Sequence, residues 1–211
     1  MTLFIDNDAL LKLASYDLFD TALGIFGIRP ADAHVLATAK YVLLPAKDRL
    51  RRCKTEQCAS RLESFLSRAI KLGADDAVTA TLDALVERPG VDAGEAIMLA
   101  AAASKPDSFV ITGDKRALEA LQVGQGLDDV REALAGRVLS LELLFSFMIV
   151  SDFAQVQARV RGKPGVDKAL TNAFGVSTPA SLESVSDALD SYVAHLRRQT
   201  GTLLHPSPAS S

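Results

Sequence analysis

Two periods govern the apolar positions of this 211-residue chain. Short continuous apolar runs at 2–5, 108–112 and 137–141 are each followed by a stretch in which apolar residues return every three or four positions, the strand-then-helix rhythm of an α/β fold. Ala9, Leu10, Leu13 and Ala14 follow the first run at helical spacing, and Ala117, Leu118 and Leu121 follow the second. Pro30 stands before Ala31–Leu36, which predicts a helix entered through a proline in its first turn and closed by Pro45. Lys47 to Leu72 reads as basic and helical, with Leu62, Phe65, Leu66, Ala69 and Ile70 as its apolar stripe and Gly73 as its end. A helix over 75–87 stops at Arg88-Pro89-Gly90, and Asp92 opens an Ala-rich helix that reaches about Lys105. Beyond the third run a helix extends to about Val160, the segment 161–165 breaks it, a short helix covers 167–174, and Thr178-Pro179 opens a last helix to about Arg198. The pattern predicts a mostly parallel central sheet over 1–145, a helical C-terminal extension over 146–203, and a disordered polar, Pro-rich tail over 204–211.

Composition narrows the class of partner. Apolar residues make up 48% and charged residues 23% of the chain, and the net charge is −3, so the overall field does not attract polyanions and nucleic-acid contact must rest on local basic patches. One such patch is Lys47-Asp48-Arg49-Leu50-Arg51-Arg52-Cys53-Lys54, although a charge run of this kind also serves as a solvated helix face. The two cysteines, Cys53 and Cys58, fit neither a zinc spacing nor a disulfide framework, which points to a reducing cytoplasm. Asp6-Asn7-Asp8 interrupts the first apolar residues and gives no secretory leader pattern. The most apolar run, 138–150, carries Glu142 and is shorter than the roughly 20 residues that cross a bilayer, so it reads as a core strand entering a helix, with no membrane partner. The three histidines, His34, His195 and His205, are scattered and form no metal or triad spacing.

Candidate chemistry lies in three acidic segments at strand-to-helix or loop-to-helix junctions: Phe4-Ile5-Asp6-Asn7-Asp8, Asp92-Ala93-Gly94-Glu95-Ala96 and Val110-Ile111-Thr112-Gly113-Asp114. In a parallel sheet the carboxyl ends of the strands share one edge, where ligands bind, and Asp6 and Asp114 are expected to meet there. Carboxylates within about 4 Å of one another repel by roughly 4 kcal/mol at an effective dielectric near 20, a cost that a divalent cation removes. Each acid also has a plain structural role: Asp6 and Asp114 suit helix N-caps, and Asp92 with Glu95 fits a capping box.

The order of these segments resembles the PIN-domain ribonucleases, the family that includes the VapC-type toxins. The segment 4–13 is similar to that family's opening strand, metal-binding Asp and small polar residue two positions on; Glu95 stands before an Ala-rich helix face, and Val110–Asp114 is similar to the family's strand ending in Thr-x-Asp. The resemblance covers residues 2–145 and implies a PIN-like three-layer α/β fold, a metal site built from Asp6, Glu95 and Asp114 with Asp8 beside it, and Thr112 as an orienting hydroxyl. It implies Mg²⁺ or Mn²⁺, which suit oxygen-only ligands, and endonucleolytic hydrolysis of single-stranded RNA. For a toxin it implies an antitoxin protein as partner; apolar helix faces leave a homodimer open. Lys115 and Arg116 are candidate contacts to the substrate backbone. The chain departs from the pattern at 33–44, where the family places a further acid and this sequence has none; Asp20, Asp32 and Asp48 are nearby substitutes.

Two other functions fit the same residues. A PIN-like module without catalysis would bind RNA or protein only. A haloacid-dehalogenase-like phosphatase would use Asp6 as nucleophile, Asp8 as general acid and Thr112 downstream, but it leaves Glu95 idle and finds no strand before Asp128-Asp129.

Overall fold

The computed structural model describes residues 1–208. Strand β1 (Thr2–Ile5) leads into α1 (Asn7–Tyr16) and α2 (Phe19–Ile25), and a 3-10 turn at Pro30–Asp32 delivers β2 (Ala33–Leu36). Then follow α3 (Ala39–Leu43), α4 (Leu50–Cys53), α5 (Glu56–Arg68), β3 (Ile70–Leu72), α6 (Thr79–Val86), α7 (Ala93–Ala103), β4 (Ser108–Thr112), α8 (Lys115–Val123), α9 (Asp128–Leu134) and β5 (Val138–Ser140). The chain closes with α10 (Leu141–Arg161), α11 (Lys168–Ala173) and α12 (Leu182–Thr200). The five strands form one all-parallel sheet in the order β3-β2-β1-β4-β5, flanked by helices. Burial on both faces explains the continuous apolar runs: Leu3, Phe4, Ile5, Val110, Ile111, Val138 and Leu139 are all buried.

The strand order reverses at β1. Its neighbours β2 and β4 are reached in opposite directions, so the crevice at the carboxyl edge between β1 and β4 is a topological switch point. Register fixes what stands there: Ile5 pairs with Ile111, and the Asp6 amide donates to the Ile111 carbonyl at 3.0 Å, leaving Asp6 and Thr112 at the same edge.

Three elements differ from the sequence expectation. Residues 33–36 form a strand, not a helix; Pro30 starts only a one-turn 3-10 segment, and Ala33, Val35 and Leu36 then bury on pairing with β1 and β3. The basic stretch forms two helices, α4 and α5, separated at the left-handed Lys54 and the N-cap Thr55; it ends at Arg68, and Ile70 and Leu72 become edge strand β3. The last helix is capped by Ser181, whose hydroxyl accepts from the Ser184 amide, rather than by Thr178. The tail expected to be disordered from 204 is in place as far as it is described: Leu203 and Leu204 are buried, and the His205 amide donates to the Val138 carbonyl at 2.8 Å, extending the contacts of β5. Residues 209–211 lie outside the described residues.

The C-terminal helices grow directly out of the sheet, since α10 begins where β5 ends and runs across the expected boundary at 145. Ser140 caps it by accepting from the Leu143 amide, and Asp152 interrupts its helical backbone. By length and composition α10 could cross a membrane, but half of its most apolar stretch is buried within the fold, with Leu143, Leu144, Phe145 and Met148 in the core.

Candidate functional site

Asp6 follows β1 directly and caps α1. Its Oδ1 accepts from the Ala9 amide at 2.6 Å, and its Oδ2 accepts from the Thr112 hydroxyl at 2.6 Å and the Gly113 amide at 2.8 Å. The residue is 6% exposed. Burial pushes its carboxyl up to about 6; the hydrogen bonds from Thr112, Ala9 and Gly113 oppose that rise without cancelling it, and the Asp8 charge adds to it. Thr112 works in two directions, donating to Asp6 and accepting from the Asp114 amide at 3.0 Å, so one hydroxyl ties the end of β1 to the turn after β4.

Asp8 sits over this turn, and a Cβ on Gly113 would overlap its carboxylate, so glycine is what permits the approach. The Asp8 carboxylate meets Lys12 Nζ at 2.6 Å, and the same ammonium reaches Asp167 at 2.8 Å, the residue that caps α11. Burial opposes the charged form of Lys12, but hydrogen bonds to Asp167 and Asp8 outweigh it and hold the ammonium above its usual range.

Glu95 and Asp114 form a second group. Glu95 is the far half of the capping box: its amide donates to Asp92 Oδ1 at 2.8 Å, and its Oε2 accepts from the Asp92 amide at 2.7 Å. Gly94 lets this first turn of α7 press on the sheet, since a Cβ there would meet Leu36 Cδ1 at 2.7 Å. Asp114 caps α8, accepting from the Arg116 and Ala117 amides at 2.8 and 3.2 Å. The Glu95 and Asp114 carboxyls act on each other through a side-chain hydrogen bond and their charges. Burial, and then the neighbouring Asp114, pushes Glu95 up to about 7. Burial works against ionisation of Asp114 too, but the Arg116 guanidinium and the hydrogen bond from protonated Glu95 hold its carboxyl below the usual range. The pair lines an open depression of about 250 Å³ with Gly90, Val91, Asp92 and Arg116.

The four acids therefore do not converge on one point. Asp6 and Asp8 act on each other, as do Glu95 and Asp114, but among the described residues no three His, Cys, Asp or Glu side chains come together as a metal cage. The structural roles expected of Asp6, Glu95 and Asp114 as caps are all realised. The cations named as backbone contacts are engaged internally: Lys115 pairs with Glu142 at 2.6 Å and Arg116 with Asp114 at 3.2 Å. Asp32 faces away, paired with Arg29 before β2 at the opposite edge of the sheet. Three residues of this region escaped the sequence reading: Lys12, Asp167 and the buried Glu142 at the start of α10. An acid in the first turn of an otherwise apolar helix is the one signal that would have singled out Glu142.

No family model, curated protein or solved structure matches this chain.

The donor set at Glu95 and Asp114 suits a hard cation. Two facing carboxyl groups, Glu95 held above its usual range and Asp114 below, offer oxygen-only ligands, and Mg²⁺ is commonly held by one or two carboxylates while keeping several waters.

Proposed function

We propose that the protein is a PIN-like, Mg²⁺- or Mn²⁺-dependent endoribonuclease acting on single-stranded RNA. The observation that carries this reading is the facing pair Glu95 and Asp114 at the carboxyl edge beside the β1–β4 switch point, with buried Asp6 fixed behind it through Thr112. Glu95 and Asp114 would hold the cation, which when bound supplies charge neutralisation at the phosphate and a more acidic water. The chain's own groups do the positioning. Thr112 fixes the Asp114 backbone, the α7 and α8 first turns aim Glu95 and Asp114 at one another, and Arg116 at the rim balances the acidic charge. The toxin-like resemblance makes an antitoxin protein a proposed partner and the cytoplasm the proposed compartment.

A second reading, an RNA- or protein-binding module without catalysis, draws on three facts: both Asp6 oxygens have internal donors, Asp8 is held by Lys12, and no acid occurs at 33–44. Titration calorimetry with Mn²⁺ on wild type and Asp114→Asn, run beside cleavage of single-stranded RNA, separates the readings. The nuclease requires metal binding and cleavage that both fail in the variant. Metal or RNA binding by wild type without cleavage favours the module, and an acyl phosphate on Asp6 would mark the phosphatase.

A further inference from the structure

A cavity of about 310 Å³ lies between α1, the α4–α5 junction and the 163–166 segment, at the lower end of the size range of small-molecule sites, about 300–1,000 Å³. Its apolar wall is made by Leu11, Cys53, Cys58 and Val166, both cysteines being buried free thiols. Arg52, Lys54 and Lys163 bring positive charge to the same cavity from two segments more than 100 residues apart. Most cations around it are matched: Lys12 by Asp8 and Asp167, Arg49 by Glu56 and Glu63, Arg61 and Arg159 by Asp17. Arg52, Lys54 and Lys163 take part in no ion pair among the described residues. Lys54 Nζ donates to the Arg51 carbonyl at 2.7 Å and Asp8 on the same cavity is already held by Lys12, so the exposed Arg52 and Lys163 leave the cavity mouth with positive charge that an anionic ligand matches. Thr55, which caps the 13-residue helix α5, also lines the cavity and adds the positive end of that helix.

The ligand must be amphiphilic. Bare phosphate leaves the apolar wall unused, and an apolar peptide leaves the cations unmatched; a nucleotide satisfies both, with its flat base on the apolar side and its phosphate at the rim. Position strengthens the assignment. Asp8 lines this cavity and also lies against Gly113, between Thr112 and Asp114, so the cavity adjoins the proposed catalytic edge.

We propose that this cavity is a nucleotide subsite, seating one base and its phosphate of a single-stranded RNA whose neighbouring phosphodiester lies at Glu95 and Asp114; the RNA part of this assignment rests on the nuclease reading. The test uses the full chain in EDTA, with fluorescence anisotropy of a labelled single-stranded hexaribonucleotide over a salt series and competition by AMP or inorganic phosphate. Arg52→Gln/Lys163→Gln changes only exposed side chains and is checked for unchanged melting by circular dichroism. The expected result is roughly tenfold or greater loss of affinity in the double variant, and a slope of log affinity against log salt shallower by about 1.4. Asp114→Asn binds RNA at least as tightly as wild type, and AMP competes roughly tenfold better than phosphate. Unchanged RNA affinity in the double variant, or phosphate competing as well as AMP, overturns the subsite. Failure of the nuclease reading has a different signature: wild type that does not cleave with Mn²⁺ while the double variant still loses RNA leaves the subsite standing. Cleavage by wild type with unchanged RNA affinity in the double variant removes the subsite and leaves the nuclease.

Discussion

Replacing Asp6 with Asn isolates the cost of the buried charge at the edge of β1. Burial places the Asp6 carboxyl at about 6 in the folded chain against 3.8 when exposed. Between those values the native state binds more protons than the unfolded state, so the contribution of this group to stability falls as pH rises and is fully lost above the folded value. A displacement from 3.8 to about 6 corresponds to about 3 kcal/mol. Asn removes the charge and keeps one oxygen, but its amide nitrogen cannot accept from the Gly113 amide, and one unsatisfied buried donor costs roughly 1–3 kcal/mol at every pH. The unfolding free energy of Asp6→Asn minus that of wild type, measured by urea denaturation in EDTA, is therefore negative near pH 4. It rises by about 2.4 kcal/mol by pH 8, the rest of the roughly 3 kcal/mol having been lost already below pH 4. Titration of Glu95 is common to both chains and drops out of the difference. A difference that stays flat from pH 4 to 8 would refute the argument, because it would mean that Asp6 ionises in the fold as easily as in water.

Thr112→Val removes the hydroxyl that serves both Asp6 and the Asp114 amide; the expected destabilisation is roughly 1–3 kcal/mol by urea denaturation. Lys12→Met strands Asp8 and Asp167 together, and destabilisation of about 1–3 kcal/mol is expected at pH 7, between the values for exposed and buried pairs. Because Lys12 helps hold Asp167 below the usual carboxylate range, that stabilisation is present at neutral pH and lost as pH falls through the folded Asp167 value, so the Lys12→Met deficit should shrink in acid. In Asp114→Asn, the Glu95 carboxyl, followed by carbon-detected NMR, should titrate below about 7 while remaining above 4.5, since its burial persists after the neighbouring charge is gone. A Glu95 titration unmoved by that substitution would show that the two carboxyls do not interact.

Much of this architecture was legible locally. An apolar run closed by Asp6, and another closed by Thr112, announced two strands and the caps that follow them, because side-chain-to-amide bonds over three residues are written within one short segment. The capping box of Asp92 and Glu95 was equally plain. Strands β2 and β3 were not, since four residues such as Ala33–Leu36 carry no period of their own and become a strand only by pairing with β1 and β3. The partners that set the site's electrostatics also come from far along the chain: Lys12 finds Asp167, and Lys115 finds Glu142. Local patterns were enough to set which residues cap which helices and to place acids where strands end. That Asp6 is sealed behind Thr112 while Glu95 and Asp114 face each other half-buried at the rim of a depression follows from the packed fold, because burial and charge proximity depend on strand order and register, which no local pattern encodes.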